Sequence, residues 1–257
     1  MTAKIVFTDL DGTLLDPVTC RFDSAIPALE MIRKRKIPLV FCSSKTRAEI
    51  VAIRKKMENT APFISENGGG IYIPEGYFSF GFDSDVLDGY RLIVLGEPYD
   101  LVRRRFEEIR RKTGIRVRGF SDMSDEEVAR LTGISKEEAH LAKQRDFDEP
   151  FVFEQGPDER FLKALEAAGL NWTRGRLFHA MGNHDKGLAV NRLKSFYERE
   201  YGEISSIALG DGENDVPMLR AVDFPVLLGG AAPFEGSIGT SKSGPVGWNE
   251  AVLKLIA

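Results

Sequence analysis

Three short apolar, β-branched runs in this chain each stop at a polar residue: Lys4–Thr8 at Asp9, Ile37–Cys42 at Ser43, and Ile204–Leu209 at Gly210–Asp211. Runs this short and this apolar, bounded by polar turns, are the pattern of strands buried on both faces. Helical patterns lie between them. Ser24–Lys36 carries Ile26, Leu29 and Ile32 at helical spacing, and Thr46 with Glu49 forms a capping box opening a helix with Ile50, Ile53 and Met57 on one face. Strand, helix, strand in this order predicts an α/β fold, a Rossmann-like three-layer core around a parallel sheet. Such sheets bind ligands at the carboxyl ends of their strands, so the residues that end these runs are the candidate functional residues.

The rest of the chain divides by rhythm. Phe63–Ser65 reads as a further strand, and Ile71–Ile73 and Tyr77–Phe80 flank Pro74–Gly76 as a hairpin. From about Ser84 to His184 the parallel rhythm is lost. Strand patterns at Tyr90–Leu95, Phe151–Phe153 and Arg176–Ala180 mix with helix patterns at Tyr99–Lys112, Asp125–Thr132, Lys136–Arg145 and Asp158–Ala168. The rhythm returns with a helix from Asp185, the Ile204 strand, a strand at Phe224–Leu228 and a helix at Gly247–Ile256. The expected organisation is an α/β core from residues 1–83 and 185–257, interrupted by an inserted α+β domain at 84–184. The length of 257 residues suits that division.

Composition narrows the partners. Thirty-five Lys and Arg against 39 Asp and Glu give a net charge of −4, which predicts no nucleic-acid partner and no membrane-surface binding. Cys20 and Cys42 are too few for a disulfide framework and fit a reducing compartment. The apolar run at Met1–Phe7 is too short for a signal peptide, and no run reaches the ~20 apolar residues of a membrane span. These features predict a cytoplasmic protein, a monomer or weak homodimer.

Asp9 and Asp11, two residues apart on extended chain, project to the same side. Gly12 allows a sharp turn behind them. Bringing Asp211 and Asp215 alongside gathers carboxylates that repel one another unless a cation sits among them, and an all-oxygen set favours Mg²⁺. Lys186 falls at the start of a helix, where the macrodipole disfavours a cation unless an anion is near. A nucleophilic carboxylate, a second carboxylate to move a proton, a hydroxyl, a lysine and Mg²⁺ together describe phosphoryl transfer through an aspartyl-phosphate.

At these residues the chain resembles the haloacid dehalogenase superfamily of phosphatases. Asp9–Leu10–Asp11–Gly12–Thr13 matches the first motif, Ser43 the second, Lys186 the third, and Gly210–Asp211–Gly212–Glu213–Asn214–Asp215 the fourth. The resemblance implies Asp9 as nucleophile, Asp11 as acid and then base, and Ser43 and Lys186 on the phosphoryl oxygens. It also implies Mg²⁺ on Asp9, the Asp11 carbonyl and Asp211, with Asn214 and Asp215 supporting the metal and Lys186. The gaps are 34 residues from Asp9 to Ser43 and 143 from Ser43 to Lys186. They place the inserted domain, as a cap, between the second and third motifs, the type IIB arrangement. The second motif departs from the wider group: Ser43–Ser44–Lys45 stands where many members have Thr-Gly-Arg.

Within the superfamily, several segments resemble the mannosyl-3-phosphoglycerate phosphatase family, among them Phe41–Arg47, Ile64–Gly70, Gly119–Met123, Ala142–Phe151 and Phe178–Gly187. That resemblance implies a small phosphorylated sugar–glycerate substrate carrying a phosphate, a carboxylate and a hexose. Arg145, Lys45 and Arg47 are then candidates for the carboxylate. Glu66, Asn67, Asp148, Glu149 and His179 are candidates for sugar hydroxyls, with Ser44, Gly68 and Gly69 beside them. Glucosyl-3-phosphoglycerate and sucrose-phosphate are alternative esters, and a phosphomannomutase-like transferase or a non-catalytic sensor are alternative classes. Cys42 reads as a buried strand residue rather than a nucleophile, and Phe120, Phe147, Phe151 and Phe153 as cap core.

Overall fold

The computed structural model describes residues 2–229 and 234–256; Met1 and Ala257, the ends of the expected core segments, lie outside them. The strands are β1 (Ala3–Thr8), β2 (Leu39–Cys42), β3 (Phe63–Ser65), β4 (Gly70–Pro74), β5 (Asp85–Leu87), β6 (Tyr90–Val94), β7 (Val117–Gly119), β8 (Asp148–Phe153), β9 (Asn171–Arg174), β10 (Phe178–Met181), β11 (Ile204–Gly210), β12 (Phe224–Leu227) and β13 (Ile238–Gly239). The helices are α1 (Ile26–Lys34), α2 (Arg47–Lys56), α3 (Tyr99–Thr113), α4 (Asp125–Thr132), α5 (Lys136–Ala142), α6 (Glu159–Ala167), α7 (Lys186–Tyr201), α8 (Val216–Arg220) and α9 (Gly244–Ile256).

Nine strands form one sheet in the order β13-β12-β11-β1-β2-β3-β4-β6-β5. From β13 to β3 all neighbours are parallel, as the apolar runs predicted. Ile5 and Phe7 of β1 face one apolar layer with Ala189, Leu193 and Met218, while Val6 faces the other with Ile50, Trp248 and Val252. This alternation buries β1 on both sides. The strand order reverses at β1, which sits between β2 and β11, and a crevice opens at such a reversal. The two aspartates therefore emerge at the one place in the sheet where the flanking loops diverge.

The insert contributes a second sheet, β7-β8-β10-β9, antiparallel throughout. Its apolar face, with Phe151, Phe178 and Ala180, packs on Phe106 of α3 and Phe161 of α6.

Two local expectations are corrected. β5 and β6 belong to the large sheet, joined to β4 by antiparallel pairing, so residues 85–94 are not part of the second sheet as expected. Nor do Tyr77–Phe80 form a hairpin strand: β4 pairs with β3 and β6 instead. Tyr77, Phe78 and Phe80 leave the sheet to pack their rings on Phe196 and Tyr197 of α7. An aromatic run has strand propensity, but burial against a helix satisfies it equally well. Among the described residues no helix is long and apolar enough to cross a membrane.

Candidate active site

Asp9 follows β1 directly, and its N–H donates to the Leu209 carbonyl of β11 at 2.9 Å. Lys186 is the first residue of α7, whose N-cap Asp185 accepts from the Leu188 N–H at 2.7 Å. The Lys186 side chain is fully buried, and its Nζ donates to Asp9 Oδ1 and Asp215 Oδ1, each at 2.6 Å. Burial works against the ammonium, but the flanking Asp215 and Asp9 carboxylates outweigh it and hold Lys186 above its ordinary value. Burial likewise pushes the Asp9 carboxyl up, with Lys186 pulling the other way.

Asp9, Asp211 and Asp215 bring carboxylate oxygens within 4.8 Å of one another. Their free valences differ. Asp215 Oδ2 accepts the N–H groups of Asp211 and Gly212 at 3.0 Å while its Oδ1 holds Lys186, so both oxygens are engaged. Asp211 Oδ1 accepts from Thr13 Oγ1 at 2.8 Å, and its Oδ2 and Asp9 Oδ2 have no protein partner among the described residues. Two hard, anionic oxygens beside a third that braces the loop suit a small divalent cation, and Asp9 and Asp211 are the residues able to hold it. Gly12, at φ +78°, makes the approach possible: a Cβ there would lie 2.4 Å from Asp211 Oδ2.

Asp11 is exposed at the cleft and pairs with Lys45 Nζ at 2.9 Å. Lys45 also meets Glu49 at 3.3 Å, and Glu49 is locked in the capping box with Thr46 at the start of α2. Ser43 ends β2 fully buried, its Oγ accepting the Lys45 N–H at 3.3 Å. A cleft of about 720 Å³ opens here, lined by Asp9, Asp11, Asp211 and Asn214 together with Arg145, Arg176 and His179.

The expected sugar and carboxylate ligands separate into those that face this cleft and those that do not. Ser44, Lys45, Arg145 and His179 line it. Arg145 is nevertheless buried in protein contacts: its guanidinium bonds the Asp148 carboxylate and the Ser44 carbonyl, with Glu66 at 3.4 Å. Asp148 also accepts from His179 Nδ1 at 3.1 Å and Asn67 Nδ2 at 3.0 Å. Burial opposes its charge, but Arg145 and His179 hold it below the usual carboxylate range. Asn67 accepts in turn from Asn214 Nδ2 at 3.2 Å.

Four expectations are corrected. Glu66 turns to the insert, accepting the N–H groups of Asp146, Phe147 and Asp148 at 2.9, 2.8 and 3.0 Å. Burial pushes its carboxyl up to about 8, against Arg145. Gly68 and Gly69 make room for protein: a Cβ on them would lie 2.1 Å from the Asp185 carbonyl oxygen and 2.5 Å from Phe147 Cβ. Glu149 lies on the opposite face of β8 from Asp148, where it accepts from Tyr99 Oη and from Ser121 N–H at 3.1 Å. Arg47 pairs with Asp88 at the surface at 2.9 Å, away from the cleft. In exchange, Thr13 and Arg176 join the site. Thr13 stood inside the first motif, whereas no sequence signal marked Arg176.

Asp9 and Asp211 thus form a carboxylate pair at the ends of two adjacent strands, β1 and β11. The profile of the haloacid dehalogenase-like hydrolase family matches residues 6–81 and 153–234. The chain belongs to that superfamily and is a phosphatase of it. It is 43% identical to the glucosyl-3-phosphoglycerate/mannosyl-3-phosphoglycerate phosphatase of Methanococcoides burtonii, over 98% of this chain and 97% of that one. It is 39% identical to the mannosyl-3-phosphoglycerate phosphatase of Pyrococcus furiosus, over 88% of this chain and 91% of that one. Among solved structures, Thermoplasma acidophilum 0175 matches with a TM-score of 0.73 at 19% identity, covering 100% of this chain and 99% of the other. A subclass IIB sugar phosphatase of the same superfamily matches with a TM-score of 0.68 at 17% identity, covering 99% and 100%. Likeness at those identities establishes the fold.

Proposed function

We propose that this phosphatase hydrolyses a hexosyl-3-phosphoglycerate, mannosyl-3-phosphoglycerate foremost, to the hexosylglycerate and inorganic phosphate. The observation that carries the chemistry is the Asp9 carboxylate, with one oxygen fixed by Lys186 and the other free at the floor of a cleft that Asp11 also enters. The substrate follows from the names of the relatives that match along nearly the whole chain. In this reading Asp9 attacks phosphorus and the ester P–O bond breaks. Asp11 gives its proton to the departing sugar-glycerate oxygen, then takes one from the water that attacks the aspartyl-phosphate, releasing phosphate and restoring Asp9. Ser43 and Lys186 hold phosphoryl oxygens, and Asp215 keeps Lys186 aimed at them. Asp9, Asp211 and the Asp11 carbonyl, with Asn214 nearby, would hold Mg²⁺, which would supply positive charge to offset that of the phosphoryl group.

A phosphate-release panel tests this reading. Mannosyl- and glucosyl-3-phosphoglycerate are expected to turn over in preference to sucrose-6-phosphate and mannose-6-phosphate, with Mg²⁺ required and Asp9→Asn lowering kcat at least about 10³-fold. Equal turnover of mannose-6-phosphate would overturn the substrate, and turnover without stoichiometric phosphate release would point to a transferase.

A further inference from the structure

Four cationic side chains line the cleft, and two of them are already committed. Lys45 is paired with Asp11 and Glu49, and Arg145 with Asp148. Arg174 and Arg176 border the same cleft, are exposed, and form no ion pair or side-chain hydrogen bond among the described residues. Arg174 ends β9 opposite Phe178, and its guanidinium stacks over that ring, 5.0 Å from the centroid, on the sheet face that packs against α3 and α6 and away from His179. Arg176 lies in the turn from β9 to β10.

The turn is seated on the catalytic loop. A Cβ on Gly175 would stand 3.3 Å from Asn214 Oδ1, so the chain there passes in close contact with Asn214, whose amide is fixed by Asn67. Asn214 follows Asp211 by three residues. Arg176 extends the other way, its Nη2 4.0 Å from the place a Cβ of Gly133 would take. One uncompensated guanidinium group, that of Arg176, is thus held at the rim of a site whose floor already has its own cation, Lys186, for the phosphoryl group. A substrate with a phosphate as its sole anion leaves it without a partner, whereas a second anionic group beside the ester matches it.

We infer that Arg176 binds the carboxylate of the substrate's glycerate unit and selects acid-bearing phosphate esters over neutral ones. This replaces Lys45, Arg145 and Arg47 in that role, and it rests on the hexosyl phosphoglycerate reading above. The fork of a guanidinium suits a carboxylate better than a lysine does.

The test compares mannosyl-3-phosphoglycerate with its analogue in which the carboxylate is reduced to a primary alcohol. The ratio of kcat/KM for the two is measured in the wild-type enzyme, in Arg176→Ala, in Arg176→Lys, and in Arg174→Ala on the opposite sheet face. Preference for the acid is expected to fall about 10- to 100-fold in Arg176→Ala, chiefly through KM, with partial retention in Arg176→Lys and no change in Arg174→Ala. An unchanged ratio in Arg176→Ala overturns the assignment, as does an equal loss on both substrates, which would mark the arginine as structural. If the wild-type enzyme itself shows no preference for the acid, the substrate reading fails before any variant is compared. Matching urea unfolding curves establish that the variants fold.

Discussion

Glu66 offers a direct contest between a ligand role and a structural one. Its carboxylate accepts three consecutive backbone N–H groups, from Asp146, Phe147 and Asp148, at 2.9, 2.8 and 3.0 Å, and it is fully buried. Glu66→Ala would strand those donors in a site that water reaches poorly. Each unpaired buried donor costs about 1–3 kcal/mol, so three set a range of about 3–9, and partial relaxation or entry of one water brings the expected loss to about 4 kcal/mol. That is a large share of the ~5–15 kcal/mol that holds a typical domain folded. Glu66→Gln keeps an acceptor near the Oε2 position, which serves Phe147 and Asp148, and turns a donor toward Asp146; a loss of about 1–2 kcal/mol is expected. Urea unfolding measures both. Because the same segment carries Arg145 and Asp148 at the cleft, kcat/KM is expected to fall along with stability in the alanine variant. A Glu66→Ala enzyme with a raised KM and a stability change below about 1 kcal/mol would refute this reasoning and return Glu66 to the sugar-binding role.

Other consequences are more compact. Gly12→Ala places a Cβ 2.4 Å from Asp211 Oδ2 at a φ of +78°; a stability loss of about 1–2 kcal/mol and a higher Mg²⁺ requirement are expected, read by unfolding and by metal titration of phosphate release. His184 is buried, with Nε2 3.2 Å from the Glu66 carbonyl and Nδ1 without a partner among the described residues, and burial holds it below its ordinary value. A depressed imidazole contributes stability that is present above the unfolded value of about 6.5 and lost as pH falls below it. The wild-type protein should therefore lose more unfolding free energy than His184→Gln between about pH 7.5 and 5.5; parallel losses would contradict the assignment. Arg47→Ala removes a surface pair with Asp88, and is expected to leave KM unchanged and stability within about 0.5 kcal/mol.

The polar knot joining the two sheets explains why some site residues were misread. Glu66 and Asn67 both take left-handed backbone conformations, at φ 48° and 56°, and both spend their side chains on residues about 80 positions away. A charged residue beside a glycine run looks the same in sequence whether it faces ligand or protein. Glu149 shows the same limit: its alternation with Asp148 on β8 was available, but which face meets the cleft depends on how the sheet is docked. The aromatic run Tyr77–Phe80 had strand propensity and no local signal that α7 would claim it.

What the sequence determined by itself is the parallel sheet and the gathering of carboxylates at the ends of its strands. Apolar strands that stop at Asp9, Ser43 and Asp211 can be buried only as neighbours in one layer, and the reversal of strand order at β1 then brings their ends together. Local pattern suffices for this because burial on both faces leaves a strand little choice of position. The tertiary structure alone decided which cations remain free. Lys45 and Arg145 are neutralised by carboxylates from α2 and β8, while Arg176 reaches the cleft unpaired from the turn that rests against Asn214. Charge compensation between segments distant in the chain is a property of their packing, and no window of sequence contains it.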